Sequence, residues 1–266
     1  MINAAVLGSP ISHSLSPRLH TAAYKFLNMK GLYSSFDVPA GTLQDFLRDK
    51  DSTWTGFSLT MPLKEEALDC ADTIDPLVQR IRSGNTLVKQ DGKWSLFSTD
   101  VLGFKNAVSM NNVKAPSSVL ILGSGATARA AVAAFDSTHT SINVLHRNSE
   151  RESSIRQCAH LSSIRFLPWE FTDDLNNVDL VINTTPKFAI DDFAQGLSRK
   201  PVGTFFDVIY DPWPTRFAQS WDHNGGKVIG GLDLLIAQGV EQIRIFTGKQ
   251  VPTTELTSYL RSELKI

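Results

Sequence analysis

Short apolar runs alternate with stretches of helical periodicity along most of the chain. The first run, Ala4-Ala5-Val6-Leu7, stops at Gly8 and Pro10 and reads as a buried strand entering a loop. Residues 17–27 predict a helix with Leu19, Ala22, Ala23 and Phe26 on one face. Strands are expected at 33–38 and 56–59, followed by a helix over 63–70. Residues 85–89 and 94–98 flank Gln90-Asp91-Gly92-Lys93, where Asp-Gly supplies the positive φ of a hairpin turn. A helix over 100–110 comes next. The polar stretch 111–118, which carries Pro116, precedes the clean strand Val119-Leu120-Ile121-Leu122 and marks a domain boundary. Further strands at 141–145, 180–183, 204–209 and 227–229 are spaced for a parallel sheet with crossover helices. Helices over 232–246 and 253–264 complete the chain. This alternation is that of an α/β protein.

Composition narrows the function classes. The chain has 266 residues, enough for one large domain or two modest ones. Lys and Arg number 26 against 27 for Asp and Glu, so no overall basic field exists to hold a nucleic acid, and no such partner is expected. Cys70 and Cys158 are the only cysteines, which make neither a disulfide framework nor a metal cage and fit a reducing, cytoplasmic setting. The six histidines show no metal-ligand spacing. No apolar run is long enough to span a bilayer, and the N-terminus lacks the basic start of a signal peptide.

The strongest local motif is Gly123-Ser124-Gly125-Ala126-Thr127-Ala128, which follows a strand and opens an alanine-rich helix. It satisfies G-x-G-x-x-A: Gly123 for a tight turn, Gly125 for close approach of a pyrophosphate, Ala128 for helix packing on the sheet. Exposed N–H groups at the helix start would hold the phosphates. About twenty residues on, an NAD-binding unit would place an acid against the ribose 2′-hydroxyl. Here the next strand ends in His146-Arg147-Asn148-Ser149-Glu150-Arg151. Two arginines four apart suit the 2′-phosphate of NADP, because a guanidinium binds phosphate through two parallel hydrogen bonds. NADP(H) is therefore the expected cofactor.

The loop after the first strand is rich in hydroxyls. Ser14 and Ser16, two apart, can turn both Oγ atoms the same way and chelate a carboxylate. Ser16 before Pro17 also reads as a helix N-cap with proline at N1.

Pro10-Ile11-Ser12-His13-Ser14-Leu15-Ser16-Pro17, Thr60-Met61-Pro62-Leu63-Lys64, Gly84-Asn85-Thr86, Thr99-Asp100-Val101-Leu102-Gly103, the glycine loop and Gln238-Gly239, in this order, resemble the shikimate dehydrogenase family over nearly the whole chain. The resemblance implies reversible NADPH-dependent reduction of 3-dehydroshikimate to shikimate, in the route to aromatic amino acids. It implies that Ser14 and Ser16 hold the substrate carboxylate, while Thr60, Lys64, Asn85, Asp100 and Gln238 surround the ring hydroxyls and reacting carbonyl. It further implies an N-terminal α/β substrate-binding domain of residues 1–100 and 233–266. A Rossmann-like, doubly wound NADP-binding domain of residues 101–232 is inserted within it, and the C-terminal helices return to the first domain. The cleft between such domains is where a small ligand would sit.

Chemistry at Lys64 and Asp100 can be read from the residues. Reduction of a ketone leaves charge on oxygen, and an ammonium at Lys64 is a compact donor for the proton that oxygen takes. Asp100 as a carboxylate would orient Lys64 and accept a hydrogen bond from a neighbouring hydroxyl. The reverse reaction needs neutral Lys64 and should be favoured at higher pH. By position alone, Lys64 is also an ordinary first-turn lysine and Asp100 an ordinary N-cap. Thr184, in Asn183-Thr184-Thr185-Pro186, ends a strand on the carboxyl side, where it either borders the nicotinamide or makes a plain strand exit. Tyr210, in a segment resembling the family's Asp-x-x-Tyr-x-Pro-x-x-Thr, either reaches the substrate or packs. Trp54, Trp94 and Trp169 are expected to pack.

Several residues depart from the family pattern: Ser98 for asparagine, Arg82 for glycine, Lys187-Phe188 for Gly-Met, Thr21 for asparagine and Leu234 for methionine. They leave room for a quinate or quinate/shikimate dehydrogenase using NAD, or for a metabolite sensor that keeps the fold without turnover. Monomer and homodimer both remain open.

Overall fold

Ala4, Ala5, Val6 and Leu7 are each at most 2% exposed, so strand β1 (Ile2–Gly8) is covered on both faces, as a central parallel strand must be. The computed structural model describes residues 1–172, 174–197 and 199–264. After β1 come α1 (Ser16–Phe26), β2 (Gly31–Asp37), α2 (Leu43–Arg48), β3 (Gly56–Leu59), α3 (Leu63–Cys70), β4 (Thr73–Ile74), α4 (Pro76–Ile81), β5 (Thr86–Gln90), β6 (Lys93–Phe97) and α5 (Asp100–Met110). The first sheet has the order β2-β1-β3-β5-β6-β4. β1 lies parallel to β2 and β3, whereas β5 runs antiparallel to both β3 and β6. Register pairs Leu7 with Leu59, Ser58 with Thr86, and Thr86 with Phe97. The carboxyl ends of β1, β3 and β6 therefore meet the amino end of β5 at one end of the sheet. Phe57, Leu63, Leu87 and Leu96, all fully buried, fill the core behind it.

The second sheet is built from β7 (Ser118–Leu122), α6 (Ala126–Phe135), β8 (Ser141–Leu145), α7 (Glu152–Arg156), β9 (Ser163–Leu167), α8 (Asp174–Asn177), β10 (Leu180–Asn183), β11 (Thr204–Asp207), α9 (Arg216–His223) and β12 (Lys227–Ile229). All six strands are parallel, in the order β12-β11-β10-β7-β8-β9. Strand order reverses between β7 and β10, the topological switch point of a doubly wound Rossmann-like sheet. Phe205, Phe217 and Trp221 pack against one another in its core. The helices α10 (Gly231–Thr247) and α11 (Thr253–Glu263) end the chain.

Two compact units result: Met1–Gly103 with Leu235–Ile266, and Phe104–Leu234. The boundary expected at 111–118 is thereby corrected, since that stretch lies inside the second unit. Phe104, fully buried, meets Phe206 edge-on at 5.4 Å and ties α5 to the second core. Two further expectations are adjusted. The strand expected to run to Ile209 stops at Asp207, whose Oδ1 accepts the Ile209 N–H at 3.1 Å. Ser16 is not the N-cap of α1: Leu15 occupies that position, and no side chain caps the helix. The short elements β4, α2, α4 and β9 had not been anticipated. The hairpin turn is as expected, with φ of 49° at Asp91 and 78° at Gly92.

Candidate active site

The end of the first sheet collects residues distant in sequence. Gly8 closes β1 so tightly against the β3 exit that a Cβ there would lie 2.3 Å from Thr60 Cγ2. Asp37, ending β2, holds the serine loop through Ser9 Oγ at 2.8 Å and the Ile11 N–H at 3.3 Å. Within that loop Ser14 Oγ accepts the Ser16 N–H at 3.3 Å, so the Ser14 O–H remains a donor for a ligand. Thr60 follows β3, and its carbonyl accepts the Leu63 N–H that starts α3.

Lys64, in the first turn of α3, donates from Nζ to Asp100 Oδ2 at 2.5 Å; their side chains are only 16% and 6% exposed. The ordinary surface-lysine alternative is thus excluded by geometry. Asn85 Nδ2 donates to Asp100 Oδ1 at 2.9 Å and to Thr99 Oγ1 at 2.9 Å, with Gln238 Oε1 at 3.3 Å. Asn85 Oδ1 accepts from the Thr99 N–H at 2.9 Å and from Thr86 Oγ1 at 2.8 Å. Gln238 anchors its own amide on the Leu235 carbonyl at 2.8 Å. One acid and one ammonium, with both carboxylate oxygens occupied, form a unit able to pass a proton while keeping its orientation.

In the second unit the glycine loop has the conformation its sequence requires. Gly123 has φ of +108°, and a Cβ there would lie 2.7 Å from Thr184 Oγ1. Thr184 Oγ1 in turn donates to the Leu122 carbonyl at 2.7 Å, joining the exits of β7 and β10 at the switch point. Gly125 is the N-cap of α6 with no side-chain cap, so the first N–H groups, at Ala126 and Thr127, are unclaimed by a side chain at the cap. A Cβ at Gly125 would meet only Arg151 Nη1, at 3.8 Å. Ser124 lies between the two glycines, half-buried. Arg147 stacks over Trp169 at 4.5 Å, and Asn148 Oδ1 caps the following turn through the Glu150 N–H at 2.9 Å. His146, buried, sits 3.0 Å from the Asn148 carbonyl and 3.2 Å from Glu152 Oε1. Glu152 is thereby turned toward the imidazole. Tyr210, half-buried, lies on the loop after β11. That loop is held by Asp207, which accepts from Asn183 Nδ2 at 3.0 Å and Thr215 Oγ1 at 2.8 Å. Burial pushes the Asp207 carboxyl above the usual carboxylate range, opposed by those donated bonds.

A model of the shikimate dehydrogenase substrate binding domain matches residues 6–87, the segment from β1 to the start of β5. The chain is also 32% identical to the shikimate dehydrogenase (NADP(+)) of Oleidesulfovibrio alaskensis, over 97% of this chain and 94% of that one. The chain belongs to the shikimate dehydrogenase family. Among solved structures of this family, the Mycobacterium tuberculosis shikimate dehydrogenase superposes with a TM-score of 0.88 at 33% identity, covering 98% of this chain and all of that one. The Thermus thermophilus shikimate 5-dehydrogenase, solved in complex with NADP(H) and shikimate, gives a TM-score of 0.85 at 29% identity, covering 99% and 100%.

As a shikimate dehydrogenase family member, the chain shows what its departures do. Arg82 caps α4 in the left-handed region with φ of 50°, which explains why glycine suits that position; its side chain is exposed. Ser98 Oγ is buried without a partner among the described residues, and the turn to Asp100 is held by Asn85 instead. Phe188 is 62% exposed with φ of 70°. Trp169 packs as expected and also carries Arg147 over its ring, whereas sequence reasoning gave no role to the Thr86 side chain and missed Gln242. The last stands four residues after Gln238, on the same face of α10, and that spacing was the available signal.

Proposed function

We propose that this chain catalyses the reversible NADPH-dependent reduction of 3-dehydroshikimate to shikimate, as a cytoplasmic enzyme of aromatic amino acid biosynthesis. The observation that carries this reading is the shielded Lys64–Asp100 pair at 2.5 Å, held from behind by Asn85. The residues around Gly123 and Gly125 fit a dinucleotide: backbone approach is open at Gly125, a guanidinium stands beside it, and the N–H groups of Ser124, Ala126 and Thr127 would hold the pyrophosphate. Arg147 and Arg151 serve the 2′-phosphate, His146 and Asn148 bind the cofactor beside them, and Thr184 borders the nicotinamide. The bound nicotinamide supplies hydride to the carbonyl carbon in one direction and takes it in the other.

Every other step belongs to the chain's own residues. Ser14 and Ser16 donate hydrogen bonds to the substrate carboxylate. Thr60, Asn85, Gln238 and Tyr210 surround the ring hydroxyls. Lys64 Nζ gives its proton to the oxygen as the alkoxide forms, and Asp100 keeps that nitrogen aimed. In oxidation, neutral Lys64 takes the hydroxyl proton, and because oxidation releases a proton the equilibrium moves in this direction as pH rises.

The test is absorbance at 340 nm with shikimate or quinate, each paired with NADP+ or NAD+. Shikimate with NADP+ should give the highest kcat/KM. Binding without turnover in all four mixtures would instead make the protein a sensor.

A further inference from the structure

We propose that Gln242 is a positioning residue for this reaction: through Thr86 it sets which way the Asn85 amide faces, and through Asn85 it orients Asp100. The inference rests on the reading of Lys64 and Asp100 as the reacting pair.

Gln242 lies on α10, 1% exposed, and both ends of its amide are committed. Its Nε2 donates to the Asn85 carbonyl and to Thr86 Oγ1, each at 3.1 Å. Its Oε1 accepts from Ser58 Oγ at 2.8 Å, and Ser58 Oγ accepts from Tyr33 OH at 2.6 Å. Donation therefore runs in one direction: Tyr33 to Ser58, Ser58 to Gln242, Gln242 to Thr86, Thr86 to Asn85, and Asn85 to Asp100. His20 Nε2, 3.4 Å from Gln242 Oε1, adds a second donor at the same oxygen.

This direction has a consequence for Asn85. A hydroxyl has one proton to give. With Gln242 Nε2 donating into Thr86 Oγ1, the Thr86 proton is free for Asn85 Oδ1. Were the Gln242 amide turned over, its Oε1 would face the Asn85 carbonyl, acceptor against acceptor, and would draw the Thr86 proton away. Asn85 Oδ1 would keep only its Thr99 donors, the N–H at 2.9 Å and the more distant Oγ1 at 3.3 Å. Gln242 is thus one of two locks on Asn85, and its loss should give a graded rather than a total effect. Ser58, Thr86, Asn85 and Asp100 are each at most 4% exposed, so no water replaces a missing partner cheaply. Gln242 spends both Nε2 protons on the protein, which leaves it no donor for substrate.

Gln242→Met and Thr86→Val each break the chain, upstream and downstream of the same bond, and valine suits a strand interior. Each folded variant should show kcat lowered by about tenfold with shikimate KM within about threefold, the pattern of an interaction realised in the transition state. Thermal unfolding identifies the folded fraction, to which kcat is referred. Independently of turnover, NMR should show the Asn85 Nδ2 protons exchanging at least about tenfold faster in both variants than in the unmodified protein. If kcat per folded molecule stays within about twofold, or if those protons exchange unchanged, Gln242 is only a core residue and the proposal fails. Should the unmodified protein lack turnover with every substrate pair, the functional reading fails, and the exchange measurement still decides whether Gln242 governs Asn85.

Discussion

A lysine in the first turn of a surface helix normally reaches into water. Lys64 instead turns inward, because Asp100 arrives from the far side of the β5–β6 hairpin with one oxygen already bound to Asn85. The carboxylate is pre-oriented, so Lys64 spends little freedom in meeting it. Lys64→Ala should lower kcat by roughly 10²- to 10⁴-fold, the usual range for a general acid–base residue. Shikimate binding, followed by titration, should change by only a few-fold, since the proposed contacts from Ser14, Ser16 and the hydroxyl-binding residues would remain. Turnover near that of the unmodified protein would remove Lys64 from the chemistry. At this scale the sequence was only partly legible. Lys64 and Asp100 each carry an ordinary structural reading, and only their neighbours in space distinguish the two. Gln242 looks like any polar residue on a long helix until its four partners are known.

Among the elements, the strand–loop–helix around Gly123 was the most legible. Its conformation is forced locally: φ of +108° is a region that side chains rarely adopt, and a Cβ would lie only 2.7 Å from Thr184 Oγ1. Gly123→Ala should therefore push the β7 and β10 exits apart. We expect NADP+ affinity, measured by fluorescence titration, to fall at least about tenfold. A stability loss of about 1–3 kcal/mol should accompany it in thermal unfolding, from strained backbone and overpacking. Unchanged NADP+ affinity would separate this loop from the cofactor. The Asp91-Gly92 turn was legible for the same reason, a local demand for positive φ. By contrast β9, α2 and α4 went unseen because five or six residues carry too little periodicity to register. α4 did carry a readable start, with Asp75 Oδ1 accepting the Leu77 N–H before Pro76.

The molecule as a whole has two units, each with its own six-stranded sheet and core. In the first, His20 links the site to the pH dependence of folding. It is fully buried, stacks on Tyr33 with ring centroids 3.9 Å apart, and burial pulls its pKa down to about 3, against a weaker opposing bond to Gln242. Because the folded value lies below the unfolded one, near 6.5, the folded state binds fewer protons. The resulting stability is fully present above pH 6.5 and is lost as pH falls toward 3. Between pH 7.5 and 5 the loss amounts to about 2 kcal/mol. His20→Phe keeps a ring against Tyr33 and removes the titration. Its urea midpoint should fall distinctly less over that interval than that of the unmodified protein, and an equal fall would place the acid sensitivity elsewhere.

The sequence by itself determined the α/β class, the two glycine-dependent turns and the strand–loop–helix around Gly123, because each rests on backbone demands or motifs spanning a few positions. Tertiary structure alone decided where the units divide, that Asp100 is buried against Lys64, and that Tyr33, Ser58, Gln242, Thr86 and Asn85 donate in one direction toward it. These depend on strand register and on α10 packing beside β3 and β5, which bring residues up to 184 positions apart into hydrogen-bond range. Pairing over such separations leaves no periodic trace in the chain, since the bonds join side chains whose neighbours in sequence point elsewhere.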